Sequence, residues 1–270
     1  MVSIGIVGGG TIGRATARSF MEHAEVKVYD ALPERRTHTL QEAAGCDFVM
    51  LCLPTPQAQD LSCDTRILDL VIENLPKTLN IVIRSTVPIG FTDKYNLNGY
   101  TNIVHWPEFL TARCSITDAQ LPARNIVGGA QNSCKTNLGR LLFQRFPGVP
   151  VLYCSSAESE MAKLMCNSFF AHKISFFNEM HRLAEAVGAD WDQVLRAVLS
   201  DGRISHSHTS VPGPDGKFGF GGACLPKDLA NLLTSMREVN VDCTVSQAVL
   251  DRNWEDRNRE LRCAVRQSTV

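Results

Sequence analysis

The sequence contains no apolar run of about 18 residues, which is the length that a membrane-spanning helix requires. It opens on a β-strand pattern, not on the basic segment and cleavage site of a signal peptide. Its net charge is only −1, too small to attract nucleic acid or an anionic membrane. These absences predict a soluble protein of the cytoplasm that has neither nucleic acid nor a membrane as a partner.

The ten cysteines lack a recognisable spacing, because they are scattered singly and form no C-x-x-C pair. Most, such as Cys52 and Cys166, lie in apolar segments, where a thiol behaves as a small hydrophobic side chain. A disulfide framework and a structural zinc site are therefore not expected, and no metal is predicted. The same usage fits the reducing cytoplasm.

In the N-terminal half of the 270 residues, short apolar runs alternate with helical stretches. Strand patterns cover residues 2–7, 25–29, 47–53, 80–84, 102–105 and 125–127. Helical patterns cover residues 11–22, 64–74 and a stretch that ends at residue 145. Strands that alternate with helices predict an α/β domain with a parallel sheet and right-handed crossovers, here a Rossmann-type doubly wound sheet.

From Ser155 onward the pattern becomes all-helical. Ser155 and Glu158 have the spacing of a capping box, and a helix of about 30 residues, or about 45 Å, is predicted to follow. Further helices are predicted at residues 192–199, at 227–239 and from 244. We therefore predict a Rossmann-type domain over residues 1–154 and a helical domain over residues 155–270, with no flexible linker.

The long helix carries more apolar positions than one small domain needs, so a homodimer through this helix is predicted. These positions are Met161, Met165, Phe169, Phe176, Met180, Leu183 and Val187.

The stretch GIVGGGTIG fits G-x-G-x-x-G, with Gly8, Gly10 and Gly13 directly after a strand and at the start of a helix. Glycines allow a tight turn and a close approach of a pyrophosphate to the helix N-terminus. Asp30 closes the second strand, where a carboxylate accepts hydrogen bonds from a ribose and repels a 2′-phosphate. NAD is therefore the predicted cofactor. A glycine turn without ligand is the alternative, and Arg35 and its neighbour Arg36 leave NADP open.

Three further motifs follow predicted strands, at the edge where open α/β sheets bind ligands. They are CLPTP at residues 52–56, RSTVPIG at 84–90 and HWPEFL at 105–110. Glu108, beside a proline and two aromatic residues, would be a partly desolvated carboxylate suited to general base catalysis. Ordinary strand-to-loop turns and a solvated glutamate are the alternatives.

In the long helix, Lys163 and Asn167 are four residues apart and share one face. A lysine and an amide that project together can stabilise an oxyanion. A surface lysine is the alternative.

The stretch GFGGACLPKD, residues 219–228, carries one thiol at a predicted helix start. Pro226 is tolerated in a first helical turn, and the helix N-terminus would stabilise the thiolate of Cys224. Lys227 and Asp228 follow within one turn. We predict a nucleophilic cysteine; a buried structural cysteine is the alternative, but it would not require the neighbouring glycines at positions 216, 219, 221 and 222.

Together with EMAKLMCNSFFAHKISFFNE, residues 160–179, these motifs resemble the UDP-glucose/GDP-mannose dehydrogenase family over residues 1 to about 240. Members of that family oxidise the primary alcohol of a nucleotide sugar to a carboxylate with two NAD molecules and a catalytic cysteine. The resemblance implies that Cys224 is the nucleophile, that Asp228 assists in handling water and protons, and that Glu108 is the base in thioester hydrolysis.

The resemblance assigns further roles. Lys163 and Asn167 would stabilise oxyanions, Thr86 would contact nicotinamide and water, and Arg203 would reach the substrate of a neighbouring subunit. The implied cofactor-binding residues are Gly8, Gly10, Thr11, Ile12, Gly13, Asp30, Leu53, Pro54, Thr55, Ser85, Thr86 and Lys227. The implied substrate-binding residues are Glu108, Phe109, Leu110, Lys163, Asn167, Arg203, Phe218, Gly219 and Gly221.

The sequence also departs from the family pattern. Family members usually continue with a third domain that holds much of the nucleotide, whereas this chain ends at Val270, so a short form is expected. Trp106 stands where an asparagine usually precedes Pro-Glu. The predicted activity is four-electron oxidation of a sugar or nucleotide sugar. The alternatives are a two-electron dehydrogenase of the β-hydroxyacid or 6-phosphogluconate type, and a non-catalytic NAD-binding protein.

Overall fold

A computed structural model describes the backbone of residues 1–267, and their side chains apart from Ala112 and residues 259–267. The chain divides into two compact units, Met1–Lys163 and residues 164 onward. The division falls within one long helix, so it lies C-terminal to the predicted domain boundary at residue 154. That boundary stays a prediction.

The first unit is built on a seven-stranded sheet. Its strands are β1 Ser3–Val7, β2 Glu25–Tyr29, β3 Phe48–Leu51, β4 Ile81–Ile83, β5 Ile103–His105, β6 Asn125–Gly128 and β7 Val151–Cys154. Their order is β2-β1-β3-β4-β5-β6-β7. Strands β1 to β5 are parallel, β6 and β7 are parallel to each other, and β6 meets β5 antiparallel at His105 and Gly128. The predicted parallel sheet is thus confirmed for five strands. The sixth predicted strand, β6, instead runs antiparallel to β5 and is parallel only to β7.

Six helices connect these strands in the first unit. They are α1 Thr11–Phe20, α2 Leu40–Ala44, α3 Arg66–Glu73, α4 Phe91–Leu97, α5 Ser115–Gln120 and α6 Ser133–Arg145. Helices α1, α3 and α6 were predicted from their apolar periodicity. Helices α2, α4 and α5, of five to seven residues, are too short for a periodic pattern to show.

The sheet is covered on both faces, as the near-continuous apolar run in β3 predicts. Phe48 and Met50 belong to one buried cluster with α1 and α6, whereas Val49 and Leu51 belong to a second cluster with α3 and α4. Side chains that alternate along one strand therefore enter two separate cores. This is the doubly wound arrangement.

The sheet order also locates the ligand-binding edge. Strand β1 lies between β2 and β3, so the chain reverses its direction of winding between β1 and β3. In open α/β sheets, ligands bind beyond the carboxyl ends of the strands at such a switch point. The glycine turn follows β1 and the CLPTP stretch follows β3, which places both motifs at this point.

The second part of the chain is helical, in agreement with the predicted fold class. Its helices are α7 Ser156–Val187, α8 Trp191–Leu199, α9 Leu225–Glu238 and α10 Thr244–Gln267. Helix α7 has 32 residues, and the predicted capping box is present, because Ser155 N donates to Glu158 Oε2 and Glu158 N donates to Ser155 Oγ. Among the described residues, no helix has both the length and the apolar content to cross a membrane.

Strand β7 is a part of the fold that the sequence patterns missed. It is the last strand in the sheet order, and Leu152 and Tyr153 are about half exposed. A four-residue edge strand buries few side chains, so its sequence carries only a weak alternation.

Candidate active site

The glycine turn after β1 is shaped by two different requirements. Gly8 has φ +104°, and a Cβ there would lie 2.3 Å from the Cys52 carbonyl oxygen; a Cβ on Gly13 would lie 1.8 Å from the Gly8 carbonyl oxygen. At Gly10, the residue that precedes α1, a Cβ would meet nothing within 4 Å. Packing of the chain therefore requires glycine at positions 8 and 13. The open space at Gly10, at the N-terminus of a helix, suits the close approach of a pyrophosphate.

Asp30 lies against this turn. Its Oδ2 atom accepts a hydrogen bond of 2.6 Å from Gly9 N, and its Oδ1 atom accepts one of 2.8 Å from Leu32 N. The carboxylate is thus fixed at the end of β2, where a ribose would accompany a pyrophosphate on α1. Arg35 is exposed in the short 3₁₀ turn just after it.

The loops after β3 and β4 are bound to each other. Leu53 N donates to Ser85 Oγ over 3.0 Å, and Ser85 Oγ donates in turn to the Leu53 carbonyl oxygen over 2.7 Å. Thr55 Oγ1 donates to the Thr86 carbonyl oxygen over 2.7 Å. The two loops are therefore joined to each other, and Leu53 lies next to the glycine turn, since a Cβ on Gly8 would lie 3.4 Å from its side chain. Thr11 and Ile12 begin α1, and Pro54 follows Leu53 in the loop after β3.

Glu108 and Lys163 form a buried ion pair. Lys163 Nζ donates to Glu108 Oε1 over 3.0 Å, and Leu110 N donates to Glu108 Oε2 over 2.6 Å. Only 9% of Glu108 and 3% of Lys163 is exposed, and the ammonium lies 5.5 Å from the centre of the Phe109 ring. The sequence left open that Glu108 is solvated and that Lys163 lies on the surface, and both of these alternatives are wrong.

Cys224 lies at the start of a helix, as predicted: α9 begins at Leu225, two residues before the predicted start at residue 227. It is exposed, Pro226 occupies the first turn, and Asp228 N donates to the Cys224 carbonyl oxygen over 2.8 Å. Burial as a structural cysteine is thereby excluded. A cysteine at a helix N-terminus is in the position where the helix dipole stabilises a thiolate.

Asp228 is the centre of a second polar cluster, in the helical unit. It is 1% exposed, and its two oxygens accept hydrogen bonds of 2.5 Å from Asn167 Nδ2 and from Lys227 Nζ. Asn167 comes from α7, whereas Lys227 and Asp228 come from α9. The structure thus brings Asn167, from one motif, together with Lys227 and Asp228, from another.

The glycines before Cys224 have a structural reason that the sequence did not indicate. A Cβ on Gly219 would lie 2.5 Å from Asn253 Oδ1, and one on Gly221 would lie 2.7 Å from Arg257 Nη2. Arg257 also donates to the carbonyl oxygens of Gly219 and Phe220. Helix α10 therefore holds this loop. The close approach at these two positions is by the chain itself, and their assignment to substrate binding stays a prediction.

Two other predicted substrate residues have been located. Phe218 packs edge-on against His181, with 5.5 Å between ring centres. Arg203 is exposed and pairs with Asp201 over 2.5 Å. An exposed guanidinium is compatible with a contact to a neighbouring subunit, which stays a prediction.

Glu160 is a buried residue that the sequence analysis did not single out. On α7, one turn before Lys163, it accepts hydrogen bonds from Gly90 N (2.6 Å) and Thr92 N (2.8 Å) at the start of α4. It is fully buried, and burial, assisted by Asp93, raises the pKa of Glu160 to about 7. Its spacing of three residues from Lys163, on the same helix face, is the signal that could have indicated it.

Glu160 predicts a pH dependence of stability. Between pH 4.5, the ordinary value for a glutamate, and pH 7, the folded state holds a proton that the unfolded state has lost. The contribution of Glu160 to the free energy of unfolding should therefore fall as pH rises through this window, by on the order of 3 kcal/mol. Urea denaturation at pH 5 and pH 7.5 should show wild type losing stability relative to Glu160→Gln. Glu179→Gln, an exposed site on the same helix, is the control, and parallel pH profiles for wild type and Glu160→Gln would contradict the assignment.

These features define a class of protein. A doubly wound sheet with a glycine turn and a strand-end carboxylate at its switch point is a dinucleotide-binding domain, here followed by a helical unit with an exposed cysteine at a helix start. Residues 30–147 match the NAD binding domain of the UDP-glucose/GDP-mannose dehydrogenase family, and residues 157–255 match its central domain. The chain belongs to this family, and the predicted cofactor, NAD, is confirmed.

Individual relatives agree with this assignment. A UDP-glucose 6-dehydrogenase of Campylobacter jejuni is 32% identical over 228 residues, which cover 80% of this chain and 55% of that protein. The solved structure of a UDP-glucose dehydrogenase from the hyperthermophilic archaeon Pyrobaculum islandicum aligns with a TM-score of 0.82 at 27% identity, over 94% of this chain and 68% of that chain. This chain spans about half the length of the curated relatives that it matches.

A further similar structure is that of an enzyme of the β-hydroxyacid type, which the sequence analysis kept as an alternative. The solved 3-hydroxyisobutyrate dehydrogenase of Mycobacterium tuberculosis aligns with a TM-score of 0.72 over 93% of this chain and 92% of that chain. At 18% sequence identity, this likeness shows a shared fold alone.

Proposed function

We propose that this chain carries out the NAD-dependent, four-electron oxidation of the primary alcohol of a nucleotide sugar, of the UDP-glucose type, to a carboxylate. The observation that carries the proposal is the exposed Cys224 at the start of α9, in a chain that belongs to the UDP-glucose/GDP-mannose dehydrogenase family. A thiol nucleophile is what separates this reaction from a two-electron dehydrogenation, which stops at the carbonyl.

NAD, when bound, would accept one hydride in each of the two oxidations. The residues suited to hold it are the glycine turn with Asp30, which lie together at the switch point of the sheet. The linked loops that carry Leu53, Ser85 and Thr86 border the same edge and would orient the reacting end of the cofactor. Lys227 is proposed as a further cofactor contact.

The roles of the chain's own side chains follow from their chemistry. The Cys224 thiolate would add to the aldehyde carbon and form a thiohemiacetal, which still carries a hydrogen that can leave as hydride. Loss of this hydride gives a thioester, and water then releases the acid and the thiol. The balance is one alcohol, two NAD⁺ and one water to one carboxylic acid, two NADH and two protons.

Each of the two units contains residues that are candidates for proton transfer or for stabilising charge. The Lys163 ammonium and the Asn167 amide would stabilise oxyanions, because each is a buried or half-buried donor on a rigid helix. Glu108 would act as the base for water, and its contact with Lys163 gives it a fixed position. Asp228, held by Asn167 and Lys227, would assist with water and protons.

We further propose that two copies of this chain associate through α7. Six of its seven predicted apolar positions are each 46–69% exposed; they are Met161, Met165, Phe169, Phe176, Leu183 and Val187. Large apolar side chains that recur along one helix and remain exposed favour an interface with another protein surface. Arg203, exposed on the helical unit, would then reach the substrate of the partner.

The proposed function is tested by a substrate screen. UDP-sugars, GDP-sugars and free sugars are incubated with NAD, and NADH is followed by absorbance. We expect two NADH per molecule of one nucleotide sugar, no free aldehyde, and a preference for NAD over NADP of at least about tenfold, because Asp30 would repel a 2′-phosphate. One NADH per substrate would instead favour a β-hydroxyacid-type enzyme, and no NADH from any sugar would favour a non-catalytic NAD-binding protein.

A further inference from the structure

The segment that follows α8 in the helical unit is attached to α7 by two side-chain contacts. This segment, residues 201–209, contains neither helix nor strand and carries Arg203, so we call it the Arg203 loop. Both contacts are made by half-buried residues of α7, Phe170 and Lys173, which are three positions apart and therefore share one face of the helix.

Lys173 makes the first contact. Its Nζ atom donates to the Ser205 carbonyl oxygen over 2.5 Å and to Ser205 Oγ over 3.0 Å. An ammonium has three N–H donors, so two of them bind a single residue of the loop. The contact fixes both the backbone and the side chain of Ser205, two positions after Arg203.

His208 makes the second contact. Its ring is stacked on that of Phe170, with 4.1 Å between ring centres and 6° between ring planes. The backbone of His208 has φ +63°, in the left-handed region that residues other than glycine rarely adopt. Burial, assisted by Lys173, lowers the pKa of His208, so the stacked ring is uncharged at pH 7. An uncommon backbone conformation persists where the surroundings fix it, and here the stack on α7 does so.

The position of Arg203 depends on this attachment. Arg203 N donates to Asp201 Oδ1 over 3.0 Å, and the Arg203 guanidinium binds both oxygens of the same carboxylate. The side chain of Arg203 is 89% exposed, and an exposed ion pair contributes little to stability by itself. The pair therefore orients the guanidinium relative to the loop, whereas the contacts of Lys173 and His208 orient the loop relative to α7.

We propose that Lys173 is a positioning residue for Arg203, because its bonds to Ser205 hold the Arg203 loop on α7 and so present the guanidinium to the substrate of the partner in one orientation. The inference rests on the proposed function, in which Arg203 contacts that substrate. Since α7 is also the helix through which two copies are proposed to associate, a loop attached to α7 keeps its position relative to the partner. A loose loop would lose conformational freedom when substrate binds, and binding would be weaker.

The first measurement is steady-state NADH production by the full chain at saturating NAD, with the nucleotide sugar that the substrate screen identifies. Lys173→Met should lower kcat/KM by at least about tenfold, mainly by raising KM, while NAD affinity stays within about twofold of wild type. Lys173→Arg keeps the donors and should recover most of the loss. The double variant Lys173→Met, Arg203→Met should lie within about twofold of Arg203→Met alone, because the lysine acts through the arginine. Losses that multiply in the double variant, or an unchanged kcat/KM in Lys173→Met, would overturn the inference.

Amide hydrogen exchange of the Arg203 loop gives a second readout that does not require activity. Lys173→Met should increase the exchange rate of residues 201–209 by at least about tenfold and leave the rest of the helical unit unchanged. Unchanged exchange in the loop would overturn the inference whatever the activity. If wild type oxidises no sugar, the proposed function fails and with it the role of Arg203, whereas the exchange result still decides whether Lys173 holds the loop.

Lys77→Met is the matched control. Lys77 makes a similar contact in the first unit, because its Nζ atom donates to the Asn98 carbonyl oxygen over 2.7 Å and lies 5.4 Å from the centre of the Tyr100 ring. The control should leave kcat/KM and the exchange of the Arg203 loop as in wild type. An equal effect of Lys77→Met on either quantity would show that loss of any such lysine contact is sufficient, and would overturn the specific role of Lys173.

Discussion

Replacing Cys224 with alanine should abolish formation of the acid while NAD affinity stays nearly unchanged. The thiol would form the bond that holds the aldehyde for the second oxidation, so no other group on α9 can substitute for it. The glycine turn and Asp30 are untouched, and NAD titration by fluorescence should show this. Acid formation would be followed by NADH stoichiometry and by direct detection of the product.

Two further variants make the experiment decisive. Cys224→Ser should at best accumulate a slowly hydrolysed ester, since an alkoxide is a poorer leaving group than a thiolate. Cys114→Ala, which removes an exposed thiol far from α9 in sequence, should behave as wild type. Full acid production by Cys224→Ala would refute the thiol mechanism, and one NADH per substrate in wild type would do the same.

Replacing Lys163 with methionine should lower the free energy of unfolding by about 3–5 kcal/mol, because it leaves the buried Glu108 carboxylate without its cation. Urea denaturation measures this loss. Glu108→Gln should also destabilise, by leaving the ammonium unpaired. The double variant should lose less than the sum of the two single losses, since neither charge then remains in the interior.

Lys94→Met is the matched control for this prediction. Lys94 pairs with Asp69 over 2.9 Å, but its side chain is 52% exposed, so the change should cost less than about 1 kcal/mol. A loss in Lys163→Met that is no larger than that of the control would show that the buried pair contributes little. The double-variant comparison would then show no coupling between Glu108 and Lys163.

Local features of the sequence were sufficient to predict much of the fold. The apolar run of β3, the glycine turn before α1, the capping box at Ser155 and the periodicity of α7 all depend on residues within a few positions of one another. Their patterns reflect backbone geometry that repeats every two or 3.6 residues, so they can be recognised without knowledge of the tertiary structure. The cysteine at the start of α9 belongs to the same group.

The polar contacts of the candidate site required the tertiary structure. Glu108 and Lys163 are 55 residues apart, and Asn167 and Asp228 are 61 apart, so no local pattern pairs them. The sequence proposed these residues individually and left open whether Lys163 and Glu108 were solvated. Only the packing of the β5 loop against α7 decided that both are buried.

The surroundings of the glycine-rich loop and of Arg84 also became known only from the tertiary structure. Sequence reasoning assigned Gly219 and Gly221 to a substrate, but the atoms that crowd them belong to Asn253 and Arg257, more than 30 residues away on α10. Arg84 looked like the end of a strand, yet the fold buries it beside Trp106 and Asn125. The sequence alone determined most of the strands, helices and tight turns, β7 and the three short helices apart, because these depend mainly on neighbours along the chain. Which charges are buried, and which of them are paired, was decided only by the tertiary structure, because desolvation depends on neighbours in space.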